Sequence, residues 1–433
     1  MPARSIAAER STLEVHGRAA QHKSSPPTEG ELSVVRQRTL ELYPRDYAYP
    51  KWYTKALKDP RGFTPETLMD TINFDQLFNE VIMADASPGY PYMLIASTNE
   101  KLLKHEHSRT IKNLVVDRIF KLATEDLRSP LENIRNNLVD PVKIFIKGEP
   151  HTHEKVARGK IRIISSVSLV DQLVERLLHS EINATEIAMW ENIPSMPGIG
   201  LTTDEDFAKI AKIIKENPSP LMTDLSSWDW SVKHWMLMNE ALTRVEMFEK
   251  EDPMYRKMIL ARAYLTSYSV YLTSDGNCYM TPYGGVQLSG SYLTSSGNSR
   301  MRIQLSLLAG PYNGAVAMGD DCVDSHSIKE VCDKYGLTLK FETPFTNSID
   351  FCSHTIELDE NRNYKTHYPN NPGKSLCNLV TAKITPDKSK HVQQLLQFVD
   401  FIRHHPQRNE MLSALNNYSE FYSSLMSEFD IRF

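Results

Sequence analysis

The chain has only five cysteines in 433 residues, at 278, 322, 332, 352 and 377, and no two of them form a Cys-x-x-Cys pair. That spacing excludes a zinc ribbon and gives no disulfide framework, so the chain reads as reduced and cytosolic. Long apolar runs are lacking too. No stretch approaches the roughly 18 uninterrupted apolar residues of a membrane-spanning helix, so no transmembrane segment is expected. The opening MPARSIAAERSTLEVHGRAAQHKSSPPTEG has no apolar centre of the kind a signal peptide carries, and Glu9 and Glu14 argue against a transit peptide. Its polar composition predicts a flexible N-terminal tail over 1–40. Net positive charge is also absent: the formal net charge is -5, so bulk electrostatics do not advertise a nucleic-acid ligand. No internal repeat is found.

What is present is ordinary globular composition, 41% apolar and 24% charged, in a length that suits two or three domains or one large multi-lobed one. Charge is concentrated locally. Between Pro141 and Arg162 stand Lys143, Lys147, Lys155, Arg158, Lys160 and Arg162 against Glu149 and Glu154. A concentrated basic strip on an acidic chain suggests an anionic ligand held at a defined place. VKIFIKGEP alternates as a strand and GKIRIISSV gives a second, with HTHEKVARG between them read as a loop.

Elsewhere the patterning is mostly helical. Ile111, Leu114, Val115 and Ile119 share one helical face, and LVDQLVERLLHSEI is strongly amphipathic. Thr203 and Asp206 resemble a capping box before a helix through about Asn217. A long helix is expected up to about Lys250, and 386–433 read as a helical, charged lobe. SPGYPY, Ser87 to Tyr92, is a turn-rich loop whose path Pro and Gly set. Trp228, Trp230 and Trp235 read as core anchors rather than base-stacking platforms.

The chemistry gathers around GAVAMGDDCVDS, which suits a β-hairpin turning at Gly319-Asp320-Asp321. Alone, such a turn reads as a solvated loop. Upstream, however, LMTDLSSWD places Asp224 at the end of an apolar strand and Asp229 five residues later. A strand-end carboxylate plus a hairpin-tip pair can hold two Mg2+ ions about 4 Å apart, the separation used for in-line phosphoryl displacement. Cations would offset the repulsion between adjacent acids. Between the two lies QLSGSYLTSSGNSRMR, where Ser289-Gly290 makes a flexible loop entering a helix. Thr294 and Asn298, four apart, share one face of that helix. Hydroxyl and amide groups there suit contact with a sugar 2′-hydroxyl.

The order Asp-x4-Asp, Ser-Gly-x3-Thr-x3-Asn and Gly-Asp-Asp resembles palm motifs A, B and C of viral RNA-dependent RNA polymerases. KGEPHTHEKVARGKIRII resembles motif F, SPGYPY motif G, KYGLTLKFE motif D and IDFCSHTI motif E. Together they cover roughly 87 to 356. The wording is most similar to the sobemovirus and polerovirus group of positive-strand RNA viruses, with barnaviruses nearby. Gly297 departs from it, those relatives more often carrying Thr there.

The resemblance implies an α+β closed right hand of fingers, palm and thumb, with an antiparallel palm sheet flanked by helices. It implies fingers and fingertips over 41–165, palm over 166–350, and primer-grip hairpin with thumb over 351–433. Asp224 and Asp320 would ligate two Mg2+ ions, for which Mn2+ substitutes, with Asp321 adjacent. Asp229, Ser289, Gly290, Thr294 and Asn298 would select the ribose. Lys147, Lys155, Arg158, Lys160 and Arg162 would hold the triphosphate. Lys340, with Lys334 as rival, would protonate the leaving pyrophosphate. Ser87, Pro88, Gly89 and Tyr90 would guide template, and Cys352 and Ser353 would lie in the primer-gripping hairpin beside His354. A metal site built on His354 and Cys352, or on His151 and His153, lacks further ligands at the right spacing.

The implied activity is RNA synthesis from an RNA template, replicating a positive-strand genome in the host cytoplasm at membrane-associated complexes reached through partners. Those partners would be template and product RNA, ribonucleoside triphosphates, a genome-linked protein primer and other viral replication proteins. Residues 1–40 would be a polyprotein remnant or regulatory tail. Three readings compete: a reverse transcriptase, a catalytically silent palm serving as an RNA-binding scaffold, and a two-metal nuclease.

Overall fold

Ile111, Val115 and Ile119 recur at the helical period. In a computed structural model, the helix His107–Thr124 turns all three inward, none more than 1% exposed. The structure describes residues 5–80, 83–104, 107–381 and 388–430. That helix packs with Leu169–Ala188 and Pro253–Ser267 in a large helical core that includes Trp52, Tyr53, Leu173 and Tyr255. The capping box is present as expected: Thr203 and Asp206 exchange side-chain bonds at the start of Asp204–Lys215.

In chain order the strands are β1 (Val142–Ile146), β2 (Ile163–Ser166), β3 (Leu221–Leu225), β4 (Tyr271–Leu272), β5 (Cys278–Tyr279), β6 (Val316–Met318), β7 (Asp321–Asp324), β8 (Leu339–Pro344), β9 (Ser348–Phe351), β10 (His354–Leu358) and β11 (Tyr364–Pro369). They form three sheets, ordered β2-β1-β4-β5, β6-β7-β3-β8 and β11-β10-β9. The second is the antiparallel palm sheet, with Met222 opposite Val323 on one side and Thr343 on the other. The helices Thr294–Ala309 and Lys329–Tyr335 pack against this sheet through Met301, Leu305, Cys332 and Leu225. Trp228 and Trp230 are buried, and Trp235 packs at the edge of that cluster.

The C-terminal lobe has its own core. Helices Pro372–Thr381, Lys388–Phe401, Arg408–Tyr418 and Glu420–Glu428 bury Leu379, Leu395, Leu412 and Leu425. Ion pairs help tie this lobe to the rest of the chain. Arg403 and His404 both meet Asp204, and Lys374 reaches Glu149 of the fingertips at 2.9 Å. The C-terminal lobe therefore touches the segment between β1 and β2.

Several sequence expectations need correction. Within 1–40 the described residues are not a flexible tail: Ile6–Ala20 and Glu29–Leu42 are helices. Leu13 and Ala20 enter a core with Val142, Ile163 and Trp230, His16 stacks on Trp230, and Val35 packs against Ile303 and Leu307. A few well-spaced apolar residues suffice when a partner surface waits, which composition alone does not reveal. The fingertip connection is not all loop, since Thr152 accepts from Lys155 N and caps a short helix, His153–Ala157. β2 is shorter than GKIRIISSV. The helix expected to reach Lys250 ends at Glu246, and a second begins at Pro253 behind an Asp252 cap.

Candidate active site

β3 carries Asp224, half-buried, and at its end Ser227 takes a left-handed conformation (φ 51°) that reverses the chain into the short helix Trp228–Ser231. That turn sets Asp229 beside the sheet. On the neighbouring strands, β6 and β7 form a tight hairpin with Met318 opposite Asp321. The turn proper is Gly319-Asp320, one residue shorter than expected, with Gly319 at φ 62°. Asp320 is exposed at the tip, while Asp321 opens β7 and is partly buried.

The carboxylates feel one another. Asp321 is pushed up to about 6, by desolvation first and then by Asp320 and Asp224, against the opposing pull of Arg302 and Lys340. Asp229 is likewise raised to about 6, by burial and then by Asp320, offset by the Asn298 hydrogen bond and by Arg162. Lys340, on β8, donates to Asp224 Oδ2, whereas Lys334 is drawn away to Glu31. The structure thus separates the two candidate lysines. Among the described residues no three of His, Cys, Asp and Glu form a ready-made metal-ligating group. The acids still suit a hard divalent cation: they are oxygen donors whose mutual repulsion a positive ion would relieve.

The helix Thr294–Ala309 brings Asn298 to Asp229, its Nδ2 donating to Oδ1 at 3.1 Å. Asn298 Oδ1 is buried and finds no donor among the described residues. The other expected ribose contacts are engaged elsewhere. Thr294 Oγ1 donates to the carbonyls of Leu288 and Ser291 at the helix start, and Ser289 Oγ accepts from Ser165 N at 2.9 Å. Ser289 and Thr294 therefore shape the loop, and the Asp229–Asn298 pair faces the acids. Gly290 lies so close to β2 that a Cβ would stand 2.4 Å from the Ser165 carbonyl oxygen.

Of the basic strip, Lys147 and Arg162 meet across the end of the β1–β2 pair around a buried Glu149, at 3.1 and 3.4 Å. Arg162 is near enough to bias Asp229. Lys155, Arg158 and Lys160 are exposed on and after the short fingertip helix, Arg158 pairing with Glu154 at 3.0 Å. The loop from Ser87 through Pro88, Gly89 and Tyr90 sits on the start of Leu169–Ala188, where Leu169 N donates to Pro88 O at 2.8 Å. Gly89 there has φ 70°. Cys352 and Ser353, both at positive φ, make the two-residue turn between β9 and β10. Burial and then Asp321 and Asp320 raise the Cys352 thiol well above its usual range, so this hairpin tip lies beside the acids.

Sequence reasoning missed the residues that hold this array. Glu175, buried, accepts from Ser291 Oγ and Tyr292 N and is gripped by Arg262, fixing the loop before the Thr294–Ala309 helix. Ser299 and Arg302 bond the Gly319-Asp320 turn. An arginine one turn beyond Asn298 was the available signal, since a buried helix position rarely keeps a charge without a partner.

A family model described as Viral RNA-directed RNA-polymerase matches residues 66–214 and 205–356. The RNA-directed RNA polymerase of Mushroom bacilliform virus is 34% identical over 351 residues, covering 75% of this chain and 80% of that protein. Replicase polyprotein P2AB of Southern bean mosaic virus is 38% identical over 312 residues, covering 66% of this chain and 32% of the polyprotein. Protein P1-P2 of Turnip yellows virus is 35% identical over 414 residues, covering 89% of this chain and 38% of that protein. The chain thus spans between about a third and two fifths of these two longer relatives. Among solved structures, an insertion loop deletion mutant of the RNA-dependent RNA polymerase of a human picorbirnavirus aligns over 96% of this chain and 77% of that chain. Its TM-score is 0.61 at 11% identity, a likeness of fold.

Proposed function

The chain belongs to the viral RNA-directed RNA polymerase family, and from that premise we propose that it copies RNA from an RNA template using ribonucleoside triphosphates. The observation that carries this reading is the Asp229–Asn298 pair beside the Asp320 turn, with Asn298 Oδ1 buried and without a donor among the described residues. A ribose 2′-hydroxyl supplies such a donor and a deoxyribose does not. Arg162 and Lys147 present cations on the same side to draw in the triphosphate, Arg162 as a planar fork and Lys147 as a point charge. Lys340, which donates to Asp224, would give a proton to the leaving pyrophosphate. Asp224 and Asp320, with Asp321 beside them, would hold two divalent cations, whose chemistry is to acidify the attacking 3′-hydroxyl and screen the phosphates.

In this reading the sheet β2-β1-β4-β5 and the surrounding helices act as fingers, the β6-β7-β3-β8 sheet as palm, β9–β10 as primer grip, and 372–428 as thumb. The loop at Ser87–Tyr90 would guide template. One relative is named a replicase polyprotein, which supports a role beside other viral replication proteins, and a genome-linked protein primer would be a further partner. Among the described residues no helix is long and apolar enough to cross a membrane. Separately, the proposed setting is the host cytoplasm, at membranous replication complexes reached through partners.

Incorporation of labelled UTP on poly(A), primed and unprimed, with Mg2+ or Mn2+, tests the proposal. Wild type should incorporate and Asp320→Ala/Asp321→Ala should not, with RNA binding retained. Equal behaviour of the two proteins would favour the scaffold reading, and use of dNTPs over rNTPs a reverse transcriptase.

A further inference from the structure

A two-residue hairpin turn leaves backbone groups that its strands cannot satisfy. In β6–β7 the ladder closes at Met318 and Asp321, so the N–H of Gly319 and the C=O of Asp320 need partners from elsewhere. Both find them on one helix. Gly319 N donates to Ser299 Oγ at 2.8 Å, and Arg302 Nε donates to Asp320 O at 3.1 Å. Ser299 Oγ in turn donates to Ser295 O at 2.8 Å, so its own hydrogen is directed away from the turn and its lone pair toward it.

Arg302 also reaches the neighbouring strand. Its Nη2 donates to Thr223 Oγ1 at 2.6 Å and lies 3.4 Å from Asp324 Oδ2, while Thr223 Oγ1 donates to that same carboxylate at 2.5 Å. Arg302 and Asp324 are both fully buried, and the guanidinium lies over the Trp228 ring. One planar fork therefore grips the peptide of Asp320 and the residue immediately before Asp224. A lysine, with a single compact ammonium, could not span both.

From this geometry we infer that Ser299 and Arg302 are positioning residues, a helix-borne clamp that sets where the Asp320 turn stands relative to Asp224. Asn298 lies on the same turn of the same helix and bonds Asp229. The rigid helix thereby links the sugar-facing pair to the acids: displacement of Asn298 carries Ser299 and Arg302 with it. This rests on the polymerase reading for its consequence in turnover, but the clamp itself is a statement about the turn's backbone.

The test compares the unsubstituted 433-residue chain with Ser299→Ala, Ser299→Thr and Arg302→Lys by backbone hydrogen exchange across 316–324, thermal melting, RNA binding and single-nucleotide incorporation. Ser299→Ala should speed exchange of the turn amide by about fivefold, the worth of one neutral hydrogen bond. It should also lower kcat by about the same factor with KM for nucleotide unchanged, while Tm and RNA affinity hold. Ser299→Thr, which keeps the hydroxyl, should restore both, and Arg302→Lys should lower kcat at least as far as Ser299→Ala. Unchanged exchange in Ser299→Ala, or a kcat loss that Thr does not restore, would overturn the clamp. Wild type that exchanges as expected but incorporates nothing would leave the clamp standing and sink the polymerase reading.

Discussion

Asn298 Nδ2 donates to Asp229 Oδ1 across 69 residues of chain, and this bond orients the amide so that its oxygen is turned away from its partner acid. If that oxygen receives the ribose 2′-hydroxyl, Asn298→Ala should erode discrimination rather than abolish synthesis. The preference for rNTP over dNTP, read as the ratio of kcat/KM values in single-nucleotide incorporation, should fall by about tenfold or more. An unchanged ratio would remove Asn298 from the sugar contact.

Asp321 and Asp229 are each raised to about 6. A raised acid binds its proton more tightly in the folded chain, so its ionised form costs stability above about 6, and that cost is gone below the ordinary carboxylate range. In metal-free buffer Asp321→Asn should therefore be more stable than wild type at pH 7.5, on the order of 1 kcal/mol. The advantage should shrink as pH falls from about 6 towards 4. Urea melts of both proteins at pH 7.5 and 4.5 in metal-free buffer check it.

Gly290 lies against the Ser165 carbonyl with no room for a methyl group. Gly290→Ala should push the loop off β2, break the Ser165 N to Ser289 Oγ bond and cost about 1–3 kcal/mol. Because that loop leads directly into the Thr294–Ala309 helix, incorporation should fall more than the melting temperature accounts for. A variant as active and stable as wild type would show that the loop tolerates relocation.

The N-terminal helix is part of the fold. Leu13 is buried beside Trp230, the residue next to Asp229. Leu13→Ala should destabilise by about 2–3 kcal/mol, as a buried leucine truncation does, and a truncation starting at Glu29 should lose more. Denaturant melts decide it. No change in either variant would restore the flexible-tail reading.

Lys340→Arg keeps a cation opposite Asp224 but removes a side chain able to surrender its proton, since guanidinium stays charged. If Lys340 serves the leaving pyrophosphate, kcat should fall by about a hundredfold with KM and RNA binding retained. Loss of RNA binding instead would mark Lys340 as structural.

What the sequence determined by itself is local. The helical period at Ile111, Val115 and Ile119, the Thr203–Asp206 cap, the Gly319 turn and the strand-end Asp224 each depend on neighbours within a few residues, so their geometry is written in spacing. The ordered motifs likewise pointed to the palm and its acids. Tertiary structure alone decided which candidates meet. Lys340 and Lys334 are six residues apart and chemically alike, yet β8 pairing carries one to Asp224 and a helix carries the other to Glu31. Ser289 and Thr294 looked equal to Asn298 until their hydroxyls were found bonded to backbone. Ser299, Arg302 and the N-terminal helix have meaning only through partners distant in sequence, and such contacts depend on packing, which no local pattern encodes.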